Sequence, residues 1–75
     1  MKYTIRDLDE RAEHIESGLN EAYKIDNHTI TLNAVWSYGG GRDGHLVTVL
    51  VDGKMIATRC RRNIGLRKAL ETLNA

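Results

Sequence analysis

Asp52 and Gly53 stand between two strand-like runs, "HLVTVLV" at 45–51 and "KMIATRC" at 54–60. An Asp-Gly pair so flanked is the strongest short hairpin signal a sequence carries, because both turn positions favour residues that tolerate positive φ. A two-residue loop also sets the register, predicting Val51 opposite Lys54, Val49 opposite Ile56 and Val47 opposite Thr58. One face then holds Val47, Val49, Val51 and Ile56 and is the core side. The other holds Leu46, Leu50, Met55 and Ala57 beside Thr48 and Arg59, more apolar than a solvated sheet needs. Leu46, Leu50 and Met55 are therefore a candidate partner surface, for another protein or for a second copy in a homodimer.

The flanking segments read as one more strand and two helices. From Thr29 to Tyr38 the period is two, with Ile30, Leu32, Ala34, Trp36 and Tyr38 on the inward side. "GGGRDG" at 39–44 joins this strand to the hairpin as a loop. Before it, "TIRDLDERAEHIESGLNEAY" opens with Thr4 and Asp7 at capping-box spacing. Its apolar residues Ile5, Leu8, Ala12, Ile15, Leu19 and Ala22/Tyr23 recur in steps of three and four, predicting one helix interrupted only by Gly18. At the other end Asn63 reads as the N-cap of a helix that turns Ile64, Leu66, Leu70 and Leu73 inward. The expected fold is α+β in the order α-β-β-β-α, a three-stranded antiparallel meander with both helices on one face.

With 75 residues, 41% hydrophobic and 28% charged, the chain reads as one ordinary globular domain spanning 1–75. Its single Cys60 forms no internal disulfide, and no Cys/His cluster has metal-ligand spacing. No cofactor or metal is expected. The start lacks the apolar run of a signal peptide, and "LVTVLV" is too short to cross a membrane, so the expected setting is the cytoplasm. "YGGGRDG" lacks the Lys-Ser/Thr of a phosphate-binding loop.

Charge is uneven along the chain. Residues 1–27 carry four Lys/Arg against seven Asp/Glu, and residues 28–75 carry seven against three. Arg61 and Arg62 fall where the second helix begins, and basic groups there oppose the positive end of the helix dipole. Such a placement makes sense if an anion sits beside them. Arg59, Arg67 and Lys68 extend the basic edge, and Arg42 reaches in from the loop.

The helix–three strands–helix order, with "VDGK" ahead of Arg61 and Arg62, resembles the double-stranded-RNA-binding fold. That resemblance implies that the arginine pair grips phosphates; position 65 is Gly where the family has another basic residue. "DGHLVTVLVDGK" followed by "IGLRKALETL" resembles the HicA-type mRNA interferase toxins, which implies His45 as a general acid/base in RNA cleavage, with Gly44 where the family has Ser. In size and composition the chain is similar to phage-encoded inhibitors, including anti-CRISPR proteins, which implies occlusion of a surface on a host complex. The reading preferred from the residues is a non-enzymatic binding protein. Its strand 3–helix 2 edge, with Arg42, Arg59, Arg61, Arg62, Arg67 and Lys68, would dock on nucleic acid or on an acidic protein surface.

Overall fold

The computed structural model describes residues 2–37 and 45–75, with the backbone alone at 36 and 37. Trp36's side chain, Tyr38, the 39–44 loop and Arg42 therefore lie outside the described residues. The elements run α1 (Ile5–Glu10), β1 (Glu13–Ser17), β2 (Asn20–Ile25), β3 (His28–Ser37), β4 (His45–Val51), β5 (Lys54–Arg61) and α2 (Arg62–Asn74). The strands form one antiparallel sheet in the order β1-β2-β3-β4-β5. The expected three-stranded meander is thus corrected to five strands, with a helix at each end of the chain.

The two extra strands come from the segment that was expected to continue the first helix. Thr4 caps α1 as its spacing predicts: its hydroxyl accepts from the Asp7 N–H, and Asp7 bonds back to the Thr4 N–H at 2.9 Å. The helix nevertheless stops at Glu10. Gly18 takes φ +62, and Ser17 pairs with Asn20, so Gly18 and Leu19 form a two-residue hairpin loop. A positive φ at the first loop position is what a type II′ turn asks of glycine. Beyond the turn the period is two: Glu21, Tyr23 and Ile25 point inward. Glu21 is the residue that disguises this alternation.

The other turns follow their sequence signals. Asp52 and Gly53 have φ of 52° and 85°, a type I′ loop closing β4 and β5. The Asp52 carboxylate accepts from His28 Nδ1 and from the Thr29 N–H, both at 2.8 Å, which ties this turn to the start of β3. Asp26, φ 52°, leads the loop between β2 and β3. Its carboxylate accepts from the Tyr3 hydroxyl at 2.7 Å and from Arg11 at 3.0 Å.

Val51 pairs with Lys54 as expected, but β5 then slips twice, so that Val49 faces Ala57 and Val47 faces Cys60. Ile56 and Ala57 both pack against the core edge, which corrects Ala57's expected outward position. Arg59 adopts φ 53° in the second irregular stretch, a left-handed conformation that bulges use to bend a strand. A further shift between Ala34 and Trp36 interrupts the β3–β4 register.

The core gathers Leu8 of α1, Tyr23, Ile25, Ile30 and Leu32, the odd-numbered valines of β4, and Leu66, Ala69 and Leu70 of α2. Helix α2 begins at Arg62 with Arg61 as its N-cap, not at Asn63, and its rotation leaves Ile64 45% exposed. Gly65 is buried instead. A Cβ built there lies 2.7 Å from Val49 Cγ2, so only glycine lets the helix approach the sheet this closely. Asn74 closes the structure: its side chain accepts from the Tyr3 N–H at 2.6 Å and donates to the Tyr3 carbonyl at 2.8 Å. The opposite face of the sheet carries no helix among the described residues.

Candidate functional site: a cleft between the two helices

The sequence asks for an anion at the arginine pair, and for Arg62 the protein supplies its own. The Arg62 guanidinium grips the Glu21 carboxylate with two bonds, Nε–Oε2 at 2.7 Å and Nη2–Oε1 at 3.0 Å. It also donates to the Tyr23 hydroxyl. His14 Nε2 lies 2.7 Å from Glu21 Oε1, and the His14 ring stacks on Tyr23 with centroids 4.3 Å apart. The Glu21 side chain is 1% exposed and that of Arg62 21%, so this pair sits at the edge of the core. Burial pushes the Glu21 carboxyl up, but the hydrogen bonds from Arg62 and His14 outweigh it and hold the group below its ordinary value. Burial raises the Tyr23 phenol, so it stays protonated.

Above this network lies a cleft of about 330 Å³ between α1 and the first turns of α2. Ile5, Leu8 and Leu66 give it apolar walls, Tyr23 and Arg62 line it from the network, and Asp9, Asn63 and Arg67 supply polar groups. A concave site that joins apolar walls to placed polar groups can serve as a binding pocket, and here polar side chains form the larger part of the lining. Helical spacing explains its composition: residues 63, 66 and 67 fall on the flank of α2 that faces α1.

The structure disperses the basic edge read from the sequence. Arg67 lines the cleft, while Lys68, about 100° further round the helix, is exposed elsewhere on α2. Arg61 is an exposed N-cap without a side-chain capping bond, and it pairs with Leu46 across β4 and β5. Arg59 is exposed at the bulge. His45 is 4% exposed, and its Nδ1 finds no hydrogen-bond partner among the described residues. Leu46 and Leu50 are half-buried and Met55 is 61% exposed, all on strands whose opposite face meets α2.

Glu21, His14 and Tyr23 were not singled out from the sequence as site residues, nor were the cleft residues Ile5, Asp9 and Asn63. Their one available signal was the alternation Glu21-Tyr23-Ile25 after a Ser-Gly pair. Among the described residues no group of His, Cys, Asp or Glu is placed to hold a metal ion. No helix among them is long and apolar enough to cross a membrane. Comparison with protein-family models, with curated proteins and with solved structures finds no match.

Proposed function

We propose that this is a non-enzymatic binding protein that seats a short acidic segment of a protein partner in the α1–α2 cleft. The observation that carries this reading is the pairing of Arg67 at the cleft with the apolar walls of Ile5, Leu8 and Leu66. An aliphatic side chain fits between those walls, and a neighbouring carboxylate reaches the guanidinium. Arg61 and Lys68 add a positive field outside the cleft, and Arg59 does so at the sheet edge. A long phosphate backbone fits less well. Arg62 is committed to Glu21, and Asp9 at the cleft disfavours any anion that extends past Arg67, so a single carboxylate suits the site better than a run of phosphates.

The test is a titration of isotope-labelled protein with a Gly/Ser dodecapeptide carrying a single Leu-Glu pair at its centre, and separately with a 16-base-pair RNA duplex. Peptide-induced shifts should map to Asn63, Leu66 and Arg67, and Arg67→Glu should remove them while leaving the rest of the spectrum unchanged. Absence of peptide binding at millimolar concentration, or tighter and steeply salt-dependent binding of the duplex, would overturn the reading.

A further inference from the structure

The two ends of the sheet are finished differently. At one end β5 is broken by two register shifts and by left-handed Arg59, devices that stop another strand from pairing. At the other, β1 keeps unbroken register with β2 from Glu13 to Ser17, and no strand pairs its outer side among the described residues. A regular strand of this kind is a template for one more strand.

The geometry points to a second copy of this chain as the occupant, with β1 pairing antiparallel to β1 of the partner about a two-fold axis at Ile15. The sequence of β1, "EHIES", is complementary to itself in that register. Ile15 meets its own counterpart, each His14 meets a Glu16, and each Glu13 meets a Ser17, so no like charges stand opposite one another. Neighbouring in-face registers are less complementary. A shift centred on His14 sets Ile15 opposite Glu13 and Glu16 opposite Ala12, losing both the apolar and the His–Glu pairs, and one centred on Glu16 opposes two glutamates.

The open face adds continuity. Ile15, Ala22, Thr31, Leu50 and Met55 are successive cross-strand partners, forming one row over all five strands. Joining two copies at Ile15 extends this largely apolar row through a ten-stranded sheet. Both charge pattern and row therefore select the same axis.

Sedimentation across a concentration series reads the association, and engineered cysteines read the register. In a Cys60→Ser background, Ile15→Cys places two thiols at directly opposed positions, within disulfide reach, whereas Glu13→Cys places them several residues apart. With oxidised glutathione as oxidant, Ile15→Cys should cross-link at least tenfold faster than Glu13→Cys or Met55→Cys. Glu16→Lys, which sets Lys opposite His14, should weaken dimerisation at least tenfold with an unchanged circular dichroism spectrum. A chain that sediments at 8.5 kDa up to 0.5 mM overturns the inference. So does a dimer that cross-links fastest through Met55→Cys, which would place the contact on the open face or at β5.

Discussion

The β1–β2 and β4–β5 hairpins are the same unit, two antiparallel strands closed by a two-residue loop, yet beside the buried Tyr23 and Ile25 the first adds an ion pair that the second lacks. The β4–β5 hairpin is anchored by Val47, Val49 and Val51, whose burial needs no particular partner, only a helix laid across them. The β1–β2 hairpin sets Glu21 at an inward position, and every residue of β1 is exposed. It is held in part by an ion pair with Arg62, 41 residues later in the chain. Apolar burial is tolerant of its neighbours, whereas a buried carboxylate depends on one cation being in place.

That difference can be broken at its most sensitive point. Glu21→Ala strands the Arg62 guanidinium at the core edge and should lower stability by about 3 kcal/mol, a large share of what a domain this size possesses. Urea denaturation measures it; a loss below about 1 kcal/mol would make the pair incidental. The same contact predicts an acid limb. The folded Glu21 carboxyl titrates below its unfolded value, so its contribution is complete above about pH 4.3 and drains away as pH falls through the depressed folded value. The stability gap between wild type and Glu21→Gln should therefore shrink between pH 6 and pH 3. A constant gap would mean that the charge of Glu21 plays no part.

On the apolar side, Gly65→Ala drives a methyl against Val49. Overpacking of about 1–3 kcal/mol should exceed the ~1 kcal/mol that alanine gains in a helix, for a net loss of about 1 kcal/mol. A net gain would place α2 further from the sheet than described. The smallest test concerns the turn, and its sign decides. Alanine at position 18 stabilises a helix by up to about 1 kcal/mol but is strained at φ +62, so Gly18→Ala should destabilise by about 1 kcal/mol. Stabilisation would favour the long helix that the apolar spacing suggests.

The comparison also explains which parts of the molecule were legible in the sequence. The β4–β5 hairpin was readable because Asp52-Gly53 and the alternating valines are local signals of one kind. Helix α2 is legible in outline, but its N-cap is Arg61 and not Asn63, because Arg62 in its first turn is drawn to Glu21, a contact that short-range spacing does not encode. The N-terminal segment failed for a related reason. Ile5, Leu8, Ala12, Ile15 and Leu19 fit a helical stripe, while a carboxylate at an inward strand position hides the period of two. The cleft was unreadable for want of its geometry: its two walls are the first and last helices of the chain. Arg67 stands out by its charge, whereas Ile5 and Asn63 carry only helix signals, an apolar stripe and an N-cap, and Asp9 carries none that points to a site.

The most direct measurement is a double-mutant cycle on Glu21 and Arg62, using Glu21→Leu, Arg62→Leu and the pair together, read by urea denaturation. A dependent buried pair predicts two single variants each destabilised by about 3 kcal/mol and a double variant restored to within about 1 kcal/mol of wild type, a coupling of about 5 kcal/mol. Losses that simply add, with coupling below about 0.5 kcal/mol, would contradict the account and leave the β1–β2 hairpin without the anchor described.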